Sequence, residues 1–293
     1  MNSLSPGSYT RDIPFSDADF RAIAKLAQDR FGLSLAESKK PLVYSRLSRR
    51  LKLRQVQNFS DYLSLLDRAE EEEERLELIS ALTTNVTSFF REKHHFDTLE
   101  QALDDGLSDR INSGGRTRIW SAGCSSGQEP YSIAMTVLGK VPDAARKDMR
   151  ILATDIDPKI VQKARHGVYS AEEASGIPAP LRAKWLSAAD ADGRTYGVSE
   201  GLKSLITFNE LNLMNEWPFR GPFDAIFCRN VAIYFDPDTQ KRLWQRFSAM
   251  LSPGGLLFIG HSERVSGPAM QGLTGVGITS YRKARNDAQP SLQ

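Results

Sequence analysis

The sequence predicts an α/β fold with a parallel sheet, preceded by a small all-helical domain. Between residue 16 and about residue 82, apolar residues recur at helical spacing, as in Phe20, Ile23 and Leu26. After about Gly114, short β-branched or aromatic runs alternate with helical stretches, which is the pattern of parallel strands joined by crossover helices. A length of 293 residues is enough for one or two such domains.

The composition is that of an ordinary globular protein, with 40% hydrophobic and 25% charged residues. No stretch approaches the roughly 18 uninterrupted apolar residues of a membrane span, and residues 1–10 lack the apolar region of a signal peptide. We therefore expect a cytoplasmic protein that does not insert into membranes. Cys124 and Cys228 stand apart from any metal-binding pattern and predict buried thiols.

Charge is distributed unevenly along the predicted helical domain. Residues 21–54 carry ten Lys or Arg against two acids, whereas residues 55–80 carry eight acids against two Arg. Either this asymmetry marks a surface for a charged partner, or both runs are solvated helix faces. Ser16 and Ser60 are predicted N-caps, and Pro41 suits the first turn of the second long helix.

The strands predicted in the α/β part lie at residues 117–121, 150–154, 205–208, 223–228 and 256–260. Each is followed by a polar loop. In open α/β sheets ligands bind beyond the carboxyl ends of the strands, so functional residues should lie in these loops. Residues 176–204 interrupt the alternation and are either an insertion of accessory strands or a long surface loop.

Two features predict an adenosine pocket at that edge of the sheet. A turn with Gly123 and Gly127 opens a helix, and glycine allows close backbone approach to a ligand, although a simple packing turn is the alternative. Asp155 ends the second strand, where an acid commonly accepts hydrogen bonds from ribose hydroxyls. Asp157 precedes a proline, which favours an N-cap, and ligand binding is the alternative.

Five segments carry a more specific signal. They are residues 83–92 (TTNVTSFFRE), 120–132 (WSAGCSSGQEPYS), 153–157 (ATDID), 227–235 (FCRNVAIYF) and 255–263 (GLLFIGHSE). With these motifs, in the family's order, the chain resembles the CheR-type methyltransferases of chemotaxis receptors over roughly residues 15–283.

The resemblance implies an organisation and a reaction. Residues 13–82 would be a helical N-terminal domain that docks on receptors. Residues 83–286 would be a Rossmann-like S-adenosylmethionine methyltransferase domain with an accessory β-subdomain at about 176–204. The implied enzyme transfers a methyl group from S-adenosylmethionine to glutamate carboxylates of bacterial chemoreceptors, in the adaptation step of chemotaxis. Its products are glutamate methyl esters and S-adenosylhomocysteine.

The matching motif positions imply which residues act. Those implied to bind the cofactor are Asn85, Thr87, Arg91, Glu129, Asp155, Asn212, Leu213, Arg229 and Asn230. Arg91 and Tyr234 are implied to lie near the transferred methyl group and are the predicted catalytic residues. Arg91 offers a planar fork of donors either to the glutamate or to the cofactor carboxylate, and both remain open. The alternatives are a surface linker arginine and a packing tyrosine.

The expected chemistry needs little acid or base assistance. Methyl transfer from a sulfonium mainly requires two reactants held in line and water excluded. A glutamate carboxyl, with a reference pKa of about 4.3, is already ionised near neutral pH. No general base is therefore required. His94, His95 and His261 are interpreted as structural residues, and no metal site is predicted.

The second helix carries a basic stripe, which we define as Arg46, Arg49, Arg50 and Arg54. Its members lie beside an apolar line on the helix. The resemblance implies that this stripe docks on the glutamate-rich helical bundle of methyl-accepting receptors. A solvated helix face is the alternative. Interleaved aromatics are missing from the stripe, so no nucleic-acid partner is predicted.

Two other functions compete with this one. A nucleic-acid methyltransferase would have to hold a flipped base, and the usual Asn/Asp-Pro-Pro-aromatic motif is absent after the fourth predicted strand. A non-catalytic adaptor would keep the cofactor fold and bind receptors without turnover. The presence of every residue carried over from the family disfavours the adaptor.

Overall fold

The computed structural model describes residues 13–84 and 86–285. The chain divides after Thr84 into two compact units, one helical and one α/β. The predicted fold class, a helical part followed by a sheet with crossover helices, is confirmed.

The helical unit contains α1 (Asp17–Phe31), α2 (Lys40–Leu53), α3 (Phe59–Leu66) and α4 (Glu72–Leu82). Its core is built from the apolar residues that recur at helical spacing. Phe20 and Ile23 of α1, Leu47 and Leu51 of α2, and Leu78 of α4 are all buried. Burial of each such side chain stabilises the unit by roughly 1.5–3 kcal/mol before the entropy of ordering is subtracted.

The helix starts follow the predicted caps in two of three cases. Ser16 caps α1 through a capping box, and Pro41 lies in the first turn of α2. The prediction for Ser60 is wrong. Asn58 accepts the N–H of Asp61 at 2.8 Å, so α3 begins at Phe59, two residues before the start that a Ser60 cap would give.

The oppositely charged runs of the sequence meet each other inside the helical unit. Arg50 donates to the Glu74 carboxylate at 2.6 and 3.1 Å, and Arg54 pairs with Glu71 at 2.8 Å. Tyr62 donates its hydroxyl to Glu74 at 2.6 Å. Glu74 is only 1% exposed, so this network is an internal tie between α2 and α4.

In the α/β unit the helices are α5 (His94–Ala102), α6 (Ser108–Asn112), α7 (Gln128–Lys140), α8 (Pro158–His166), α9 (Ala171–Ala174), α10 (Ala179–Trp185), α11 (Glu200–Lys203) and α12 (Pro237–Met250). The strands are β1 (Thr117–Ala122), β2 (Met149–Asp155), β3 (Val168–Ser170), β4 (Leu186–Ala188), β5 (Thr195–Val198), β6 (Ile206–Glu210), β7 (Phe223–Cys228), β8 (Leu251–Ile259), β9 (Leu273–Gly277) and β10 (Ser280–Lys283).

The large sheet has the order β6-β2-β1-β7-β8-β10-β9. The first five strands in that order pair in parallel, and β10 is antiparallel to both of its neighbours. All five predicted strands are present, although β8 begins at Leu251 rather than at residue 256. The loops after β1, β2, β6, β7 and β8 therefore share one edge, which we call the carboxyl edge.

The accessory strands form a separate three-stranded sheet of order β3-β5-β4, with antiparallel pairing. The predicted insertion at 176–204 therefore contains real strands and is more than a surface loop. The first strand of this small sheet, β3, lies before residue 176, directly after the left-handed C-cap Gly167 of α8. Three residues are too short for periodicity to reveal a strand.

The core of the α/β unit is aromatic at the centre of the sheet. Trp120 of β1 is fully buried and packs edge-on against Trp217 and Phe247. Cys124 and Cys228 are both buried, as predicted. Within residues 13–84 and 86–285, no helix is both long enough and apolar enough to cross a membrane.

Candidate functional site

The glycine turn after β1 is shaped by close packing. Gly123 and Gly127 have φ values of +83° and +97°, which favour glycine. A Cβ atom at Gly123 would lie 2.3 Å from the Val231 side chain, and one at Gly127 would lie 2.8 Å from the Tyr169 hydroxyl. The packing interpretation therefore accounts for both glycines, and it brings the turn against the loop after β7.

Asp155 ties that turn to the end of β2. Its carboxylate accepts the N–H of Ser125 at 2.8 Å and the N–H of Asp157 at 3.2 Å. Burial raises the pKa of Asp155 above its ordinary value, and the two N–H bonds oppose the rise. Asp157 accepts the N–H of Lys159 at 2.9 Å and caps α8, which confirms its interpretation as an N-cap.

Glu129, in the first turn of α7, is held by two partners. Ser121 donates its hydroxyl to Glu129 at 2.7 Å, and Arg229 donates from Nη1 at 3.0 Å. Burial raises the pKa of Glu129, while the charge of Arg229 lowers it. The ion pair joins α7 to the end of β7, two elements separated by 100 residues in the chain.

Arg229 is the centre of this edge, and it is buried. Besides Glu129, its guanidinium donates to the Arg91 carbonyl and lies 3.4 Å from the Glu92 carboxylate. It also lies over the Phe96 ring, 5.9 Å from the centroid. We call these contacts the Arg229 network. They bring the segment at 90–92, the start of α7 and the end of β7 together.

Arg91 lies between two residues with left-handed backbone. Phe90 has a φ of +52° and Glu92 a φ of +54°, which cost of order 1–3 kcal/mol each in residues other than glycine. Arg91 donates from Nη1 to the Val86 carbonyl at 2.9 Å. Such strain persists where surrounding contacts hold the backbone, and here Arg229 binds the Arg91 carbonyl and lies beside the Glu92 carboxylate.

The loop after β7 carries Asn230 and Tyr234. Asn230 has a φ of +59°, and Tyr234 ends the short helical turn Ala232–Tyr234. The sequence prediction missed Glu263 as a functional candidate. Its buried carboxylate accepts N–H groups from both the loop after β7 and the loop after β8. The signal was its place at the end of the Gly-His-Ser-Glu run.

The loop after β6 carries the predicted pair Asn212 and Leu213. Asn212 accepts the N–H of Met214 at 2.9 Å, and Leu213 is buried. The N–H of Leu211 donates to the Asp155 carbonyl at 2.8 Å, so this loop lies beside the end of β2. Both predicted groups of adenosine contacts therefore belong to neighbouring strands of the carboxyl edge.

Two of the predicted cofactor-binding residues, Thr87 and Asn85, remain to be placed. Thr87 is half-buried at the start of the α/β unit. Asn85 lies outside the described residues.

Glu92, His94 and His95 form a group of metal-type ligands, with one ligand atom of each within 4.8 Å of the others. Arg229 lies 3.4 Å from the same Glu92 carboxylate that His95 Nδ1 approaches at 3.5 Å. A divalent ion placed there would be repelled by the adjacent buried guanidinium. Burial and the Arg229 charge lower the pKa of His95 to about 3, so its ring is neutral. We assign Glu92 and His95 to the Arg229 network.

His261 joins the same network from the loop after β8. Its Nδ1 lies 3.0 Å from the Glu92 carboxylate. Burial alone would raise the pKa of Glu92, but the His261 hydrogen bond and the Arg229 charge outweigh it and lower that pKa. Glu92 is therefore an ionised partner of Arg229.

The basic stripe is mostly engaged within the helical unit. Arg46 Nη1 donates to the carbonyls of Ala81, Leu82 and Thr83 at 3.0–3.1 Å, which caps the end of α4. Together with the pairs of Arg50 and Arg54 described above, this gives three of the four arginines an internal structural role. Arg49 is exposed.

Comparisons with known proteins match both units. Residues 85–280 match the family model described as CheR methyltransferase, SAM binding domain, and residues 18–83 match CheR methyltransferase, all-alpha domain. A probable chemotaxis protein methyltransferase of Rhizobium etli is 50% identical over 252 residues, which cover 86% of this chain and 94% of that protein. The chemotaxis protein methyltransferase of Klebsiella aerogenes is 41% identical over 276 residues, covering 92% of each chain. That of Escherichia coli is 41% identical over 259 residues, covering 88% of each.

Proposed function

The chain belongs to the CheR methyltransferase family, and from that premise we propose that it methylates glutamate side chains of bacterial chemoreceptors. It is an S-adenosylmethionine-dependent methyltransferase of chemotaxis. The proposal adds the acceptor group and the residues that act. The observation that carries it is the Arg229 network, because it assembles predicted cofactor and catalytic residues on one edge of the sheet.

The donor set at the carboxyl edge fits the cofactor. Asp155 and Asn212 offer polar groups to the ribose and adenine, and Leu213 offers an apolar contact. Glu129 and Arg229 offer one charge of each sign for the amino and carboxyl groups of the methionine end. When bound, the cofactor supplies an electrophilic methyl group on a sulfonium.

In this proposal the catalytic task of the chain is orientation. Arg91 holds a carboxylate through its planar fork of donors, and Tyr234 lines the path of the transferred methyl group. The strained backbone around Arg91 limits its freedom before substrate arrives. Neither residue has to remove a proton, since the glutamate acceptor is ionised near neutral pH.

The proposed partner is the cytoplasmic helical bundle of methyl-accepting receptors, which places the enzyme in the cytoplasm. A glutamate-rich bundle is acidic, so a basic helix face suits it. On α2 the exposed side chains of Arg49 and Lys52 supply the charge that can meet a partner. Arg46, Arg50 and Arg54 stay in the docking proposal as the residues that hold α2 in place.

Transfer of labelled methyl from S-adenosylmethionine to purified receptor cytoplasmic fragments tests the proposal. We expect label on the fragment that mild alkali releases as methanol, because esters hydrolyse where N-methyl groups do not. Label that survives alkali would identify a different acceptor. Cofactor binding without transfer to any receptor fragment would support the non-catalytic adaptor instead.

A further inference from the structure

Glu263 is a buried carboxylate that accepts hydrogen bonds from several backbone N–H groups. It is 4% exposed. Its Oε2 accepts the N–H groups of Gly260 and of Asn230, the latter at 3.1 Å. Its Oε1 accepts those of Val231 at 3.1 Å and of Ile233 at 3.2 Å. These four backbone donors, together with the N–H of Ala232, form a nest around one anion of the kind that binds phosphate or carboxylate ligands.

The four donors come from two loops at the carboxyl edge. Gly260 follows β8, and the other three follow β7, its parallel neighbour. Gln240 of α12 completes the arrangement by donating to the carbonyls of Ala232 and Phe235, both at 3.0 Å. In the loop after β7, backbone N–H groups therefore donate to Glu263, and backbone carbonyls accept from Gln240.

We propose that Glu263 is a positioning residue for methyl transfer, which holds Asn230 and Tyr234 in their working conformation. This inference rests on the proposed function. Asn230 has left-handed backbone, which is uncommon for residues other than glycine, and the bond from its N–H to Glu263 holds that conformation. Tyr234 directly follows Ile233, the last residue that Glu263 binds.

Gly260 supports the inference from the opposite side of the contact. A Cβ atom there would lie 2.5 Å from Asn230 Nδ2, 2.8 Å from Asn230 N and 2.9 Å from Glu263 Oε2. Any side chain at this position would force the two loops apart. Glycine is required here because the Asn230 backbone and the Glu263 carboxylate lie too close for a side chain.

The chemistry of the nest makes a sharp substitution possible. Each carboxylate oxygen accepts at least two N–H groups. In Glu263→Gln one oxygen becomes an NH₂ group that faces at least two N–H donors, so at least two hydrogen bonds are lost at almost constant volume. A displacement of about 1 Å at a catalytic group can lower turnover by about 100-fold.

A double-mutant cycle with Tyr234→Phe tests whether Glu263 acts through the catalytic loop. We expect Glu263→Gln to lower kcat about 100-fold in the wild-type background and less than about 10-fold in the Tyr234→Phe background. Gly260→Ala perturbs the same contact by another route and should reproduce this coupling. Equal fold-losses in both backgrounds would show a general structural effect and overturn the proposal.

Asp224→Asn is the matched control. The Asp224 side chain is 8% exposed, pairs with Arg110 and accepts the backbone N–H of Arg118 at 2.8 Å, but it lies at the opposite end of β7. We expect any loss in this variant to be independent of Tyr234. Strong coupling of Asp224→Asn to Tyr234→Phe would mean that the cycle reports global destabilisation, and the proposal would fall.

Amide hydrogen exchange separates this inference from the proposed function, because it needs no methyl acceptor. We expect faster exchange in residues 229–235 of Glu263→Gln and unchanged exchange in β2 and β6. If wild-type protein transfers no methyl group, the proposed function fails whatever the exchange shows. If wild type is active and exchange in 229–235 is unchanged, the positioning role fails alone.

Discussion

At the scale of single residues, the backbone around Arg91 shows where strain is stored. Two non-glycine residues in left-handed conformation flank Arg91, and the Arg229 guanidinium binds its carbonyl. Strain of this kind persists where the fold over-determines the backbone, and it gathers at functional sites. The residue between the two strained positions is Arg91, the proposed carboxylate-orienting residue.

Replacing Arg91 by Ala should lower turnover more than it weakens cofactor binding. The side chain is proposed to orient a carboxylate in the transition state, so its loss should cost about 100-fold in kcat. Methyl-transfer kinetics and calorimetric binding of S-adenosylhomocysteine give the two values. Arg91→Lys keeps the charge without the planar fork and is the control. Parallel losses of turnover and affinity would make Arg91 a cofactor contact only.

Asp155 should make cofactor binding sensitive to acid. The ionised carboxylate is the better acceptor of two ribose hydroxyls, and burial raises its pKa, so protonation begins at a higher pH than for an ordinary aspartate. Affinity for S-adenosylhomocysteine should therefore fall as pH falls, by at most about tenfold for each unit below that pKa. Calorimetric titration across pH would show it. Asp155→Asn should bind more weakly with a flatter profile; an unchanged profile would exclude Asp155 as the titrating group.

At the scale of elements, the tie between α2 and α4 explains the uneven charge of the sequence. Glu74 accepts hydrogen bonds from Arg50, Arg54 and Tyr62 while almost fully buried. The acidic run of residues 70–74, for which a solvated helix face was one interpretation, therefore includes a residue of the interior, Glu74. The network therefore contributes to the stability of the contact between α2 and α4.

Replacing Glu74 by Ala should destabilise the helical unit by about 1–3 kcal/mol, because the buried Tyr62 hydroxyl loses its acceptor and the half-buried Arg50 keeps only Glu77. Denaturant unfolding followed by far-ultraviolet circular dichroism measures the change. Glu70→Gln, an exposed member of the same acidic run, is the control and should stay within about 0.5 kcal/mol of wild type. A similar loss in both variants would mean that net charge, and not the network, matters.

The outward side of α2 should govern affinity for the receptor. Arg49 is exposed, so Arg49→Glu should raise KM for receptor fragments about tenfold and leave kcat near wild type. The effect should shrink as salt is added, since exposed charges are screened. Glu70→Gln again serves as a surface-charge control. An unchanged KM would move the docking surface away from this face.

At the scale of the whole molecule, the chain contains two compact units whose unfolding can be followed by different spectroscopic signals. The four tryptophans, at positions 120, 185, 217 and 244, all belong to the α/β unit. Tryptophan fluorescence therefore follows unfolding of that unit, while circular dichroism follows both. The two signals can show whether the units unfold together.

S-adenosylhomocysteine at about 100 times its Kd should stabilise the fluorescence-detected transition by about 2.7 kcal/mol. Glu74→Ala should leave that transition in place and shift only the part of the dichroism signal that comes from helices of the first unit. Asp155→Asn should shrink the ligand effect at the same ligand concentration. Equal shifts of both signals in Glu74→Ala would show that the two units unfold as one cooperative unit.

Much of the fold was accessible from local pattern alone. Strand β7 has the predicted bounds, Ser16 caps α1, and Asp155 ends β2 as expected. These features depend on neighbours a few residues apart, where periodicity and capping chemistry act. The prediction failed at Ser60 and missed β3, because two capping residues competed in one case and the strand has only three residues in the other.

What the sequence by itself determined is the kind of protein: a helical part, a parallel sheet and a set of polar residues after its strands. Only the tertiary structure decided the partners of the charged side chains. Arg229 meets Glu129 across 100 residues, and Glu263 meets Asn230 across 33. Such pairs depend on which strands are neighbours and on how their ends align. That geometry is set by packing of the whole sheet, which no local pattern specifies.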